Sequence, residues 1–432
     1  MSQPDFTIDV YQNAYLAEGA RDINAIVTVT MAGSAAESPA SATDAAEIII
    51  IDCSGSMGSP RSKINEARAA TSAAVDVIRD GVAFALIAGT HEAAAIFPED
   101  GSLAVASAQT RKAAKNAIAR VGPNGGTAIG AWLRLVHQMF SAHQATLRHA
   151  ILLTDGKNES ESSDELDAAI KLCEGVFTCD CRGVGTDWRV DELRRVSSAL
   201  LGSVDIVPDP AGLAADFSAM MAESMGKRVA GVSLRIWTPQ QAVVQLLKQV
   251  APEVEDLTNR HTQSGPQVGD YPSGAWAPGE IRDYHLAVQV ARPGAVKQEM
   301  LAARVSLVSA SPSGPEVLGE EKVLAIWTDD ETLSTKINQR VAHATGQEEL
   351  AQVIQEGLEA RRQGNTDTAE AKLGRAVELA HQSGNEATAK LLLKVVDVVD
   401  AAVGTVKLKK KVEVADEMAL DTRSVKTVRT RK

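Results

Sequence analysis

The stretch Ile48-Ile49-Ile50-Ile51-Asp52-Cys53-Ser54-Gly55-Ser56-Met57 decides how this chain is read. Four consecutive isoleucines, stiff at χ1 and apolar on both sides, describe a strand buried on both faces, as at the centre of a parallel sheet. A carboxylate, two hydroxyls and a glycine follow at once, so the strand ends in a tight polar turn. The next residues, 62–79, have helical composition and stop at Asp80-Gly81. Strand, polar turn and helix make the first half of a βαβ unit, whose ligands bind beyond the carboxyl ends of its strands. Asp52 stands at that edge.

Toward the C-terminus the alternation continues. Strand-like VAFALIAG (82–89), AAAIF (93–97), RHAILLT (148–154), GVFTCDCRGVG (175–185) and SVDIV (203–207) are separated by helix-like runs, the last being 211–229. Residues 44–228 are therefore expected to be α/β, with a mainly parallel sheet covered by helices. Residues 229–329 read instead as separate strands with loops rich in Pro, Gly and Ser, which is the composition of a β-sandwich, although AVVQLLKQVAP (242–252) is ambiguous. Toward the N-terminus, FTIDVYQ and INAIVTVTM within residues 1–43 read as two antiparallel strands. An isolated hairpin is only marginally stable, so these strands should pair with 229–329 and make the α/β unit an insertion in the sandwich. Residues 330–405 return to helical spacing, with Gly346, Gly364 and Gly384 as expected helix C-caps and one hairpin of tetratricopeptide-like appearance. A small helical bundle is expected there, and residues 406–432 read as a basic, disordered tail.

Composition bounds the function. The 432 residues carry 56 acidic and 44 basic side chains, a net charge of -12, which disfavours nucleic acid and anionic lipid as bulk partners. The tail has nine basic residues against four acidic, a net +5, leaving -17 for the remainder. No apolar run approaches the roughly 20 residues of a membrane span. Four cysteines and an N-terminus without basic or apolar signal regions point to a cytoplasmic protein. Cys173, Cys179 and Cys181 could face one another, but a structural zinc site needs a fourth ligand and none lies near in sequence. Buried thiols are the expectation, and the eight scattered histidines are assigned no role.

Asp52, Ser54 and Ser56 can turn three hard oxygens into one small space, which suits magnesium with its octahedral oxygen shell and retained waters. An Asp at a strand end also serves as a simple N-cap. Two later segments would share the edge of Asp52: Gly125-Gly126-Thr127, opening a helix, and Ile151–Thr154 ending on Asp155-Gly156. DCSGSM, GGTAIG and LLTDGKN, in that order and in these contexts, resemble the von Willebrand factor A family and its metal-ion-dependent adhesion site. The resemblance implies Asp52, Ser54, Ser56, Thr127 and Asp155 as the metal-site residues. It further implies Mg2+ or Mn2+ with one coordination position open to a partner's Asp or Glu, and a protein that binds without catalysing. Helix N-termini near Ser56 and Thr127 would repel a cation, so the two carboxylates must offset them.

An alternative is a magnesium-dependent phosphohydrolase of haloacid dehalogenase type, but the proton-transferring Asp expected two residues after Asp52 is Ser54. Another is an accessory subunit of an AAA-type ATPase; the chain has no P-loop of its own. In the tail, Thr422, Ser424, Thr427 and Thr430 are candidate phosphorylation sites for a Ser/Thr kinase, to be read by a phosphothreonine-binding, forkhead-associated protein. The expected role is a signalling adaptor.

Overall fold

The computed structural model describes residues 5–33, 44–290, 295–309 and 314–427. These divide into two units, residues 35–230 and residues 1–34 together with 231–432. In the first, six strands follow one another across a sheet in the order Val204–Val207, Thr178–Val184, Leu147–Thr154, Ala45–Asp52, Ala83–Gly89 and Ala93–Phe97. The first five are parallel, whereas Ala93–Phe97 and the two-residue strand Ala104–Val105 run antiparallel to Ala83–Gly89. The isoleucine strand is central. Ile49 and Ile51 pack with Ala67, Ala70 and Ala74 of helix Ser62–Val77 and with Phe217 and Met221 of helix Leu213–Gly226. Ile48 and Ile50 are equally buried, and side-chain alternation turns them to the other face. The chain leaves Ala45–Asp52 toward Ala83–Gly89 and later returns to its opposite side with Leu147–Thr154. This reversal beside Asp52 opens the crevice in which such sheets bind ligands.

The opposite edge of the same strands is closed by charge. His149 Nδ1 lies 2.7 Å from Glu47 Oε2 and its Nε2 lies 2.9 Å from Asp180 Oδ2. Ser224 donates to Glu47 Oε1, while the Ser203 amide and hydroxyl both donate to Asp180 Oδ1. Burial alone would push the imidazole down, but the Glu47 and Asp180 carboxylates outweigh it and raise His149 to about 10. The same imidazolium and its hydrogen bond hold Asp180 below its ordinary value against the effect of burial. His149 thus has a role that sequence reading did not assign.

In the second unit, strand Asp22–Met31 pairs antiparallel with Phe6–Gln12 on one side and with Ile281–Val290 on the other. Ala242–Ala251, the ambiguous segment, is the next strand, and Glu255–Asp256 completes a five-stranded sheet. The facing sheet runs Thr262–Gly265, Val268–Trp276, Val229–Trp237, Glu299–Ser309, Glu316–Thr328 and Tyr15–Ala17. Phe6 meets Trp276 edge-on between the sheets, with ring centroids 5.5 Å apart.

The helical region departs from expectation at three places. Gly346 is no cap: one helix, Gln339–Arg362, runs through it. A mid-helix glycine costs about 1 kcal/mol, whereas each of the buried residues Leu350, Ile354 and Leu358 beyond it contributes about 1.5–3 kcal/mol. Gly364 and Gly384 do adopt the left-handed conformation after their helices. The helical spacing expected as far as residue 405 stops at Val395, and the β-branched run that follows forms strand Val396–Asp400, hairpinned with Thr405–Leu408.

The tail is the third correction, because its described part is folded. Helix Val414–Arg423 buries Met418, Ala419 and Leu420. Arg361 holds Glu417 at 2.8 Å, and Arg362 holds Asp421. The chain then adds a short antiparallel bridge, Glu253 to Lys426, with Val254 N donating to Val425 O. A surplus of charge masked an apolar patch sufficient to dock one turn of helix. Thr422 and Ser424 are only 0% and 2% exposed. The Thr422 hydroxyl donates to Met418 O, and that of Ser424 donates to Asp421 O. Thr427 donates its hydroxyl to Val250 O at 2.7 Å. Thr422 and Ser424 are therefore not open acceptors for a kinase in the folded chain; Thr430 lies outside the described residues. Among the described residues no helix is long and apolar enough to cross a membrane.

Candidate metal centre

The five residues singled out from sequence come together where the central strands end. Asp52 is the last residue of its strand and is buried. Its Oδ1 accepts the Ser54 amide at 2.7 Å, the local turn expected of an Asp at this position, and its Oδ2 accepts the Thr154 hydroxyl at 2.5 Å. Both donors are neutral. Burial pushes the Asp52 carboxyl up to about 6, and Asp155 nearby adds to the shift while the Thr154 and Ser54 hydrogen bonds oppose it.

Ser54 Oγ and Ser56 Oγ are 2.9 Å apart, and Ser56 donates to Asp155 Oδ1 at 2.7 Å. Thr127 joins them from the second loop. A Cβ built on Gly156 would lie 3.1 Å from Thr127 Oγ1, 3.4 Å from Ser56 Oγ and 3.8 Å from Asp52 Oδ2. Oxygens from three separate segments thus converge on one small space that only a glycine leaves open. Carboxylate and hydroxyl oxygens are hard donors, so the set fits Mg2+ or Mn2+ and disfavours softer ions. Among the described residues no group of three or more His, Cys, Asp or Glu side chains is placed to hold a metal ion; the candidate centre combines two carboxylates with hydroxyls.

Backbone bonds lock the three loops into register. Gly55 N donates to Gly125 O, Asn124 N to Cys53 O, and Ser160 N to Thr127 O. Gly125 takes φ +73°, and a side chain there would also strike His91. The loop after Asp155 caps helix Ile129–Ser141: Asn158 Oδ1 accepts the Ile129 amide at 2.8 Å, and Glu161 accepts that of Gly130. This places a carboxylate at a helix N-terminus, where the macrodipole favours it. Asn158, Glu161 and Thr154 were missed in the sequence because their partners lie across loops; the polar run Asn158–Ser163 ahead of a helix was the available signal.

Lys63 was also missed. Its Nζ lies 2.7 Å from Asp155 Oδ2 and 3.1 Å from Asp187 Oδ2. Burial works against its charge, but Asp155 and Asp187 outweigh it and raise the ammonium above its ordinary value. Cys53, Cys173, Cys179 and Cys181 are free and buried. Burial pushes Cys53 and Cys173 up to about 12, so they stay as neutral thiols.

The von Willebrand factor type A domain model matches residues 46–206, and the von Willebrand factor type A C-terminal domain model matches residues 378–424. No curated protein matches the chain. Among solved structures, the chain is similar to a von Willebrand factor type A protein from Catenulispora acidiphila, with 49% identity over 99% of this chain and 98% of that one and a TM-score of 0.93. The ArnB paralog VWA2 from Sulfolobus acidocaldarius is 13% identical over 98% of this chain and 99% of that one, with a TM-score of 0.59, and shares the fold. The second family match includes residues 406–424 of the segment that composition alone had marked as tail, so that folded part belongs to the family architecture. With the α/β unit and the near-complete likeness to the first of these structures, the chain belongs to the von Willebrand factor type A family.

Proposed function

We propose that this chain is a cytoplasmic adaptor that captures an Asp or Glu side chain of a partner protein through Mg2+ or Mn2+ held by Asp52, Ser54, Ser56, Thr127 and Asp155. The observation that carries this reading is the convergence of Thr127, Ser56 and Asp52 oxygens over Gly156. When bound, the ion supplies a Lewis-acidic position that a partner carboxylate can occupy in place of water. The chain's own residues do the rest. Asp52 and Asp155 supply the negative charge, the serine and threonine hydroxyls supply neutral oxygens, and the backbone bonds between loops keep these groups fixed before the partner arrives.

Binding is preferred to hydrolysis because the group two residues beyond Asp52 is Ser54, whose hydroxyl faces Ser56 and is no acid-base catalyst at neutral pH. The tail-borne route to a kinase and a forkhead-associated reader finds no open acceptor at Thr422 or Ser424, which are buried. The metal face remains the partner surface. Calorimetric titration of Mn2+ into wild type and Asp52→Asn tests the site: binding confined to the wild type supports it, and equal binding by both removes it. Affinity purification with and without EDTA, with Asp155→Ala as control, tests the use: the same partners in every sample would show that the metal does not hold them.

A further inference from the structure

Lys63 is the second residue of helix Ser62–Val77, and its side chain is only 9% exposed. An ammonium here is disfavoured twice, by loss of water and by the positive end of the helix dipole. Its compensation is specific. Asp155 offers Oδ1 to Ser56 and Oδ2 to Lys63, so one carboxylate oxygen of the candidate metal centre is committed to a cation that the chain supplies itself. Asp187, with its side chain 70% exposed, shares the same ammonium from the solvent side. Asp52 receives no such cation among the described residues; its donors are an amide and a hydroxyl.

The centre therefore contains two buried carboxylates and one buried ammonium. We infer that Lys63 is a built-in counter-cation that weakens the centre's hold on the divalent ion and strengthens its hold on the partner's carboxylate, a positioning and specificity role that rests on the metal reading above. The charge arithmetic gives the direction. Asp52 and Asp155 alone would cancel a 2+ ion and leave an arriving carboxylate little net attraction. Lys63 adds one positive charge, offset in part from the solvent side by Asp187, so the loaded centre faces the partner with more positive potential than it would without the ammonium. The same charge repels the metal ion itself, so the centre trades metal affinity for partner affinity. Lys63 also fixes the Asp155 carboxylate in one orientation, leaving the oxygen bonded to Ser56 on the hydroxyl side of the centre.

The experiment is a two-stage titration on the full chain. Mn2+ is titrated first, and acetate is then titrated at saturating Mn2+, followed by the proton relaxation of water on the ion. Lys63→Met should bind Mn2+ on the order of tenfold more tightly than wild type and acetate on the order of tenfold more weakly, while Lys63→Arg keeps both near wild type. Asp187→Asn, an exposed change compatible with folding, should move both affinities the other way by a smaller factor, since Lys63 is then less compensated. A merely structural Lys63 predicts weaker Mn2+ binding in Lys63→Met and no change in Asp187→Asn, and either result would overturn the inference. Wild type that binds no Mn2+ overturns the metal reading and this inference together, whereas Mn2+ binding by wild type with unchanged or weaker binding by Lys63→Met overturns this inference alone.

Discussion

The two edges of the α/β sheet handle buried charge in opposite ways, although the same strands build both. At one edge Glu47, His149 and Asp180 close on one another, and all four carboxylate oxygens meet a donor from His149, Ser203 or Ser224. The network carries its own cation. At the other edge, the ends of Ala45–Asp52 and Leu147–Thr154 bring Asp52 and Asp155 together, with Lys63 committed to Asp155 and only neutral donors for Asp52. The first edge spends its charge on holding strands together; the second leaves charge for something from outside. The difference teaches that burial of acidic residues does not by itself mark a site. What marks it is an acid buried without its counter-ion.

The largest expected effect comes from breaking the closed edge. His149→Ala leaves the buried Glu47 and the partly buried Asp180 without their shared cation, which should cost about 3–5 kcal/mol, read as a fall in the urea midpoint at unchanged slope. Asp52→Asn at the open edge removes a carboxylate already short of compensation, so without metal it should cost less than about 1 kcal/mol or even stabilise. Comparable losses from both would erase the distinction between the edges.

Proton linkage gives the next effect. His149 is raised from 6.5 to about 10, so its contribution is fully present below pH 6.5 and is lost as pH rises through 10. Wild-type stability should fall by a few kcal/mol between about pH 7 and pH 10, and His149→Gln should flatten that slope. A third effect belongs to the open edge. Mg2+ or Mn2+ at about one hundred times its Kd should stabilise by about 2.7 kcal/mol, seen as a higher Tm that EDTA reverses and Asp155→Ala lacks. The smallest contrast is between two serines. Ser203→Ala deletes one of two donors to Asp180 Oδ1 and should cost about 1 kcal/mol with Mn2+ binding unchanged, whereas Ser56→Ala, which removes a donor to the buried Asp155 Oδ1, should cost a similar amount and also weaken Mn2+ binding.

Much of the open edge was legible because its residues fall in short ordered segments. Asp52, Ser54 and Ser56 sit within five positions, and the Thr127 and Asp155 segments each follow a loop or strand of recognisable kind. The closed edge was not. Glu47, His149 and Asp180 lie 102 and 31 residues apart and meet only because parallel register sets Glu47 opposite His149 and carries Asp180 onto the next strand. Their signal was an ionisable side chain within each largely apolar strand, and only the pairing gives it meaning. Lys63 was hidden for a similar reason, since an ordinary helical lysine gives no sign of facing inward. In the C-terminal segment, Met418, Ala419 and Leu420 were outvoted by nine basic neighbours, although three buried apolar residues decide the packing there.

The pairing of Asp22–Met31 with Ile281–Val290 also sets a schedule. Thr30 meets Ile281 in register, so a strand made early on the ribosome waits for a partner about 250 residues later. In that interval the whole α/β unit is synthesised and can fold, while the waiting strand has one edge covered by Phe6–Gln12 and the other bare. A nascent chain halted shortly before residue 280 would thus carry a completed α/β unit and an unfinished sandwich whose open edge is the first place for a chaperone, or a second nascent chain, to attach.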